Sequence, residues 1–194
     1  MPHIRFDTPF GPCALAWSEA GLTRVLLAEQ DPSKLDERMA KAGCEPADGP
    51  VPSFINNAIA GLRSALAGPA SPPDPPPLDE LPLEALPLDE SIITPFHASV
   101  YRALRRVPRG TTVTYGDLAK QVGEPGAARA IGVAMGRNPW PVIVPCHRVL
   151  AAGGKLGGFS APGGTRTKER LLALEGIVIG DPVLPGLFDR NDVA

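Results

Sequence analysis

The sequence of 194 residues lacks the features of a membrane-spanning or secreted protein. It contains no run of about 18 or more apolar residues, which is the length that a membrane-spanning helix needs. Residues 1–7 also lack the apolar core of a signal peptide. We therefore expect a cytoplasmic protein with no membrane partner.

Cysteine is scarce, with only Cys13, Cys44 and Cys146 in the chain. The number is odd, and no two of these cysteines have the C-x-x-C spacing of redox or metal motifs. Such a set does not form a disulfide framework, and it fits a reducing compartment. The cysteines are therefore considered for reactivity.

The chain has no overall excess of positive charge, since its formal net charge is −2. The charge is, however, divided unevenly along the sequence. Residues 101–176 contain twelve basic and four acidic side chains, a net charge of +8, and the remainder has a net charge of −10. This asymmetry is typical of a DNA-facing module joined to an acidic part, because phosphate contacts supply most non-specific DNA affinity. A merely solvated basic face is the alternative.

The N-terminal part alternates between strand and helix patterns. Residues 4–8, 13–17 and 21–28 predict three short strands, the first two joined by a turn at 9–12. Two segments with helical spacing follow, and Gly68-Pro69 ends the second. Their apolar faces consist of Leu35, Met39 and Ala42, and of Phe54, Ala58, Leu62 and Leu66. We expect a three-stranded antiparallel sheet with helices, within an α+β fold.

A proline-rich segment interrupts these patterns. Residues 69–87 contain eight prolines with interspersed acids, so the segment cannot maintain a helix. We expect an extended acidic linker over the surface. A ligand for a proline-recognition domain is a weaker alternative, because the segment has no basic flank.

Helical spacing returns at Pro95, where Phe96, Val100 and Leu104 fall on one face. Thr114 is a suitable N-cap for a helix over 115–122. Pro125 opens a further helix through residue 135, after a turn at Gly123. Two short helices joined by a tight turn predict a helix-turn-helix.

The most informative stretch is Pro145-Cys146-His147-Arg148-Val149. It follows the apolar run 142–144, which is typical of a buried strand, and precedes a glycine-rich segment over 151–158. A cysteine between a proline and a histidine at the end of a strand is placed to present a reactive thiolate. The alternative is a buried structural cysteine, which is common.

Five blocks between residues 94 and 176 resemble the O6-alkylguanine-DNA alkyltransferase family, whose members move an alkyl group from guanine in DNA onto their own cysteine. The blocks are Thr112–Ala119, Ala127–Gly132, Asn138-Pro139, Pro145–Val149, and Lys168-Glu169 through Leu174-Glu175-Gly176. The resemblance implies a ribonuclease-H-like domain over 1–68, a linker over 69–93, an alkyltransferase domain over 94–180 and a tail over 181–194. It also implies double-stranded DNA as the partner and a monomer that acts once.

The resemblance assigns catalytic roles to five residues. Cys146 would be the nucleophile, His147 would activate it through a water molecule, and Glu175 would hold the histidine. Tyr115 would give a proton to N3 of the leaving guanine, and Asn138 would tie the recognition helix to the active-site turn. Taken singly, these residues also fit ordinary structural roles: a core histidine, a surface glutamate, a buried tyrosine and a helix C-cap.

Further residues would bind the duplex and the damaged base. Arg129 would fill the space of the flipped nucleotide, while small neighbours let the helix approach the minor groove. The small neighbours are Ala127, Ala128 and Gly132. A further DNA-contacting position is Pro95, which follows Thr94. The base pocket would be formed by Pro141, Arg148, Gly157, Phe159 and Ser160.

Three features depart from the usual pattern of the family. Phe159 stands where tyrosine is common, Trp140 is bulkier than expected, and the segment 161–166 is slightly long. These departures bear on the range of substrates and leave the reaction unchanged.

The resemblance implies no cofactor, although some members carry a structural zinc in the N-terminal part. The candidate ligands here are His3, Cys13, Cys44 and His97, and their spacings match no zinc template. We predict no metal.

Two other functions compete with this interpretation. The first is a hydrolytic cysteine enzyme that uses Cys146, His147 and Glu175 and turns over. The second is a non-catalytic module that binds damaged DNA while Cys146 stays unmodified.

Overall fold

A four-stranded sheet dominates the N-terminal part of the computed structural model, which describes residues 1–27, 33–67 and 82–179. The strands are β1 (Pro2–Thr8), β2 (Gly11–Ser18), β3 (Gly21–Leu26) and β4 (Glu45–Pro46), in the order β3-β2-β1-β4. The pairs β1–β2 and β2–β3 are antiparallel, as expected, and β4 adds a parallel edge strand to β1. The prediction of three strands was therefore wrong by one. The fourth strand has two residues, too few to show a hydrophobic pattern.

The sheet is covered on both faces by the two predicted helices, α1 (Ser33–Lys41) and α2 (Ser53–Ala67). On the α1 face, the small residues Ala14 and Ala16 of β2 pack with Leu35 and Met39. On the α2 face, Cys13, Leu15 and Trp17 of β2 pack with Ile55, Ala58 and Leu62. Residues 13–17 of β2 are consequently all buried, which explains why this strand has an unbroken apolar run.

The C-terminal part is mostly helical. Its elements are α3 (Pro95–Leu104), β5 (Val113–Thr114), α4 (Tyr115–Gln121), α5 (Ala128–Gly136), β6 (Val149–Leu150) and α6 (Thr165–Leu174). Thr94 caps α3, and Thr114 caps α4 by accepting a hydrogen bond from the Asp117 amide at 3.1 Å. The strands β5 and β6 pair in parallel, and this pairing brings the start of α4 next to the Cys146 segment.

The helix α5 starts three residues later than its proline predicts. The Ala127 amide bonds to the Glu124 carbonyl at 2.9 Å, so residues 124–127 form a turn before the helix. Glycine follows Pro125 directly, and its conformational freedom favours this turn over a first helical turn. The later start leaves the small residues at the N-terminal end of α5.

The described end of the proline-rich segment, residues 82–93, is not an extended surface linker. It forms two short 3₁₀ turns, Leu83–Ala85 and Glu90–Ile92, and Leu86 is buried. The Leu22 amide donates to the Pro87 carbonyl and the Asp89 amide to the Leu22 carbonyl, both at 2.9 Å. Composition predicted the absence of an α-helix here but not this docking on β3. The rest of the predicted linker, the last residue of the predicted third strand and the predicted tail lie outside the described residues.

One continuous hydrophobic cluster joins the two parts of the chain. It includes Leu22 and Val25 of β3 together with Tyr101 of α3 and Trp140. The sheet and the C-terminal helices therefore pack around the segment that contains Cys146 from two sides.

The described helices include none that is long and apolar enough to cross a membrane.

Candidate active site

Cys146 opens a short 3₁₀ turn, Cys146–Arg148, at the centre of the C-terminal part. The apolar run before it was expected to be a strand, but residues 141–144 form a turn in which the Val144 amide bonds to the Trp140 carbonyl at 2.8 Å. Prolines at 139, 141 and 145 prevent regular strand pairing. Val142 adopts a φ of 76°, which is strained for a β-branched residue. Such strain is frequent where a fold fixes functional groups.

Asn138 fixes this turn from the end of α5. Its Nδ2 donates to the Val144 carbonyl at 2.8 Å, and its Oδ1 accepts from the Trp140 amide at 3.0 Å. The predicted link between α5 and the active-site turn therefore has a direct geometric basis.

The Cys146 thiol is buried, and only 5% of the residue is exposed. Burial raises the pKa of this thiol, while hydrogen bonds from Asn138 and from the backbone amides of residues 146 and 147, together with the Lys168 charge, oppose the rise. The free protein therefore holds a neutral thiol at neutral pH, with donors already in place for a thiolate. Reaction requires a base that removes the proton.

His147 and Glu175 form the predicted pair. The distance from His147 Nε2 to Glu175 Oε1 is 2.9 Å, and both side chains are almost fully buried. Burial lowers the pKa of His147, and the nearby Arg148 and Lys168 charges lower it further. The hydrogen bond and the charge of Glu175 act in the opposite direction. The imidazole is thus neutral and able to accept a proton. Its Nδ1 is buried and bonds to no atom of the described residues.

Arg148 completes the pair as a buried triad. Its Nε and Nη2 donate to the Glu175 carboxylate at 2.9 and 2.7 Å, and its Nη1 donates to the Val107 carbonyl at 2.6 Å. Burial raises the pKa of Glu175, but hydrogen bonds from His147 and Arg148 outweigh burial and bring the pKa to about 2. The expectation that Arg148 forms part of the substrate pocket was wrong, because its guanidinium is bound to Glu175.

A cavity of about 220 Å³ lies against the thiol. Tyr115 at the start of α4, Gly132 and Met135 of α5, and Phe159 and Ser160 of the following loop contribute to its lining. Gly157 stands beside it with a φ of 67°, and a side chain there would contact Tyr115. Burial raises the pKa of Tyr115, and the negative charge of a Cys146 thiolate adds to the rise. The phenol thus remains a proton donor.

Pro141 and Trp140 are not among the residues that line the base cavity. Pro141 lines a second, larger cleft that also reaches Cys146. Trp140 is completely buried, donates from Nε1 to the Leu22 carbonyl at 2.7 Å, and packs edge-on against Tyr101. Trp140 lines neither of the two cavities that contain Cys146. Its bulk therefore braces the active-site turn against β3 and does not narrow the pocket.

Lys168 of α6 is a site residue to which sequence reasoning gave no role. It is fully buried, and its Nζ donates to the Val149 carbonyl at 2.6 Å, next to the active-site turn. Burial lowers the pKa of Lys168 to about 8, and the negative charge of a Cys146 thiolate would oppose this effect. The available signal was its spacing, since Lys168 shares the buried face of α6 with Leu171 and Leu172.

The α5 surface near the cavity consists of small residues around one arginine. Ala128, Arg129 and Ala130 are exposed, while Ala127 and Gly132 are half-buried. Pro95 and Thr94 are also exposed, at the start of α3. The predicted DNA-contacting residues are therefore accessible.

Among the described residues, no group of three or more histidine, cysteine or acidic side chains could hold a metal ion.

Comparison with known proteins identifies the family. Residues 95–177 match the model for the DNA-binding domain of 6-O-methylguanine DNA methyltransferase. The chain is 38% identical over 178 residues to the methylated-DNA–protein-cysteine methyltransferase of Mycobacterium tuberculosis, covering 90% of this chain and 93% of the relative. It is 37% identical over 190 residues to the Mus musculus protein of the same name, covering 96% and 87%.

Solved structures agree with these sequence matches. The chain is similar to Mycobacterium tuberculosis OGT in complex with DNA, with a TM-score of 0.68, 36% identity, and coverage of 91% and 93%. It is also similar to the O6-methylguanine-DNA methyltransferase of Pyrococcus kodakaraensis, with a TM-score of 0.63, 28% identity, and coverage of 91% and 99%. These relatives define a class of DNA alkyl-transfer proteins. The chain belongs to the methylated-DNA–protein-cysteine methyltransferase family.

Proposed function

We propose that this protein repairs DNA by irreversible, stoichiometric transfer of an alkyl group from O6-alkylguanine to its own Cys146. The observation that carries the proposal is the placement of the Cys146 thiol at a cavity of about 220 Å³ and beside the buried His147–Glu175 pair. The relatives named above carry the name of this reaction.

The reaction is a displacement at carbon. The Cys146 sulfur forms a bond to the alkyl carbon as the bond from that carbon to guanine O6 breaks, and the electron pair moves onto the base. His147 takes the thiol proton through a water molecule, and Glu175 orients the ring. Tyr115 donates a proton to N3, so that guanine leaves neutral. The product is a thioether that water does not hydrolyse, so each protein molecule acts once.

The fold suggests how the duplex binds. We assign α4 and α5 to a helix-turn-helix whose second helix enters the minor groove through Ala127, Ala128 and Gly132. Pro95, at the start of α3, contacts the DNA backbone at a further point. Arg129 takes the place of the flipped nucleotide in the duplex. The sheet would belong to a ribonuclease-H-like domain over 1–68, joined by the linker 69–93 to the alkyltransferase domain 94–180 and the tail 181–194.

Arg129→Ala tests whether DNA repair depends on base flipping. We expect the variant to slow transfer from a duplex far more than transfer from free O6-benzylguanine, because only the duplex requires extrusion of the base, at a cost of a few kcal/mol. The single-turnover rates of the two substrates are compared with those of the native protein. Equal losses on both substrates would show that Arg129 acts through folding or pocket chemistry.

Tyr115→Phe tests the proton donor. The variant keeps the ring that lines the cavity and removes only the hydroxyl. Because general acid assistance contributes about 100-fold or more, we expect the transfer rate to fall by that factor while DNA affinity and thermal stability barely change. The measurement is the single-turnover rate at saturating protein. Transfer at the native rate would remove Tyr115 from the mechanism.

A further inference from the structure

A second cavity reaches Cys146 from the side of the N-terminal sheet. This cleft has a volume of about 720 Å³ and lies between β3, the segment 91–94, the end of α5 and the loop 159–162. The base cavity and the cleft share Gly136, Cys146, Phe159 and Ser160. Cys146 therefore borders both cavities, and the cleft lies beside the thiol and outside the base cavity.

The charged side chains among the described lining residues of the cleft are arginines, with no aspartate or glutamate. They include Arg24 of β3 and Arg137 after α5. The chain as a whole has 21 acidic and 19 basic side chains, so composition alone does not predict this separation. His97 also lines the cleft, and burial together with the Arg137 charge lowers its pKa. The cleft is thus suited to an anion.

The walls of the cleft are not uniformly polar. Val25, Ile93 and Pro141 provide apolar surface between the charged groups. An occupant that fits both parts has methylene groups and an anionic end. Arginine pairs with a carboxylate through two parallel hydrogen bonds, which makes a carboxylate a well-matched end group.

The geometry of the transfer directs such a chain into the cleft. The attacking sulfur and the leaving oxygen stand in line on opposite sides of the carbon, so its other substituents point sideways. For a methyl group these substituents are hydrogens. For a longer alkyl group, one substituent is the rest of the chain, and it needs space beside the thiol and outside the volume that holds the base.

We propose that the cleft is a subsite for alkyl groups that are longer than methyl and end in a carboxylate, an inference that rests on the proposed repair function. The sulfur bonds to the first carbon of the carboxyalkyl group, the bond to guanine O6 breaks, and the product is an S-carboxyalkyl cysteine. Arg24 and Arg137 bind the carboxylate before and after transfer. They are specificity residues and take no part in the proton transfers.

The test compares two duplexes that differ in one charge. One carries O6-(3-carboxypropyl)guanine and the other O6-(3-carbamoylpropyl)guanine, its neutral amide of nearly equal size. We expect the native protein to transfer the carboxylate-bearing group about tenfold faster at single turnover, the effect of one charge-assisted hydrogen-bonded pair. Arg24→Gln and Arg137→Gln should each reduce this ratio to about threefold or less. The ratio is taken within one variant, so changes in folding or DNA affinity cancel.

Arg5→Gln is the matched control, because it removes a positive charge from the same sheet at a residue paired with Asp36 and outside the cleft. It should leave the ratio at the native value. A native ratio of one or below, or a ratio that neither cleft variant changes, would overturn the proposal. Equal slowing of both duplexes by the cleft variants would also overturn it and would assign the arginines to DNA phosphates. If no methyl group is transferred from O6-methylguanine to Cys146, the repair function itself is rejected.

Discussion

Cys146→Ala is expected to abolish alkyl transfer completely and to leave binding of an O6-methylguanine duplex close to that of the native protein. Transfer needs the sulfur, whereas the proposed phosphate and groove contacts lie on the α5 surface. The thiol is buried, so its removal should leave that surface unchanged. Transfer is measured as loss of O6-methylguanine, and binding by titration of the labelled duplex.

The other two cysteines provide controls. Cys13 and Cys44 are also buried, but they lie in and beside the N-terminal sheet, away from the base cavity. Cys13→Ala and Cys44→Ala should transfer the alkyl group with native stoichiometry. Residual transfer by Cys146→Ala would contradict the assignment of the nucleophile.

Glu175→Gln is expected to destabilise the protein by about 3–5 kcal/mol, because it leaves the buried Arg148 guanidinium without a counter-charge. The Glu175 side chain is only 5% exposed, and glutamine retains its shape. Transfer should also slow, since His147 loses the carboxylate that orients its ring. The free energy of unfolding is measured by urea denaturation at pH 7.

Glu90→Gln is the matched control for charge removal. Glu90 pairs with Arg102 at the surface, where the two side chains are 33% and 64% exposed. Exposed pairs contribute about 0–1 kcal/mol, so this variant should remain near native stability. Equal effects of the two substitutions would contradict the role of the buried triad.

The same carboxylate predicts how stability depends on pH. The pKa of Glu175 is about 2 in the folded protein, against 4.5 for an ordinary glutamate. The unfolded chain therefore binds the proton more readily, and the contribution of Glu175 is present above pH 4.5 and disappears as pH falls towards 2. The stability difference between the native protein and Glu175→Gln should shrink over this window. A difference that stays constant would contradict this linkage.

Local patterns in the sequence were sufficient for the regular elements. The strands β1 to β3, the apolar faces of α1 and α2, and the Thr114 cap of α4 all follow from side chains that are neighbours in sequence. The strand β4 has only two residues, and residues 82–93 depend on distant contacts with Leu22. Neither feature leaves a periodic signal.

The active site likewise has features that the sequence predicts and features that depend on tertiary packing. Cys146, His147 and Tyr115 are found through the resemblance. In the structure, Cys146 and His147 lie in one 3₁₀ turn, and Tyr115 lines the cavity beside the thiol. The turn at 141–144 was mistaken for a strand because valine and isoleucine favour strands, whereas closely spaced prolines decide the backbone here. The burial of Lys168 and the orientations of Arg148 and Trp140 depend on which element each side chain packs against. Composition and spacing do not contain that information.

Intact mass and peptide mapping after incubation with an O6-methylguanine duplex test whether Cys146 receives the alkyl group. We expect one added methyl group per protein molecule, located on the peptide that contains Cys146, with unmodified guanine in the DNA. Excess damaged duplex should not increase the modification beyond one. An unmodified Cys146 with repaired DNA would indicate hydrolytic turnover, and an unmodified Cys146 with bound, unrepaired DNA would indicate a damage-binding module. Either result would contradict transfer of the alkyl group to Cys146.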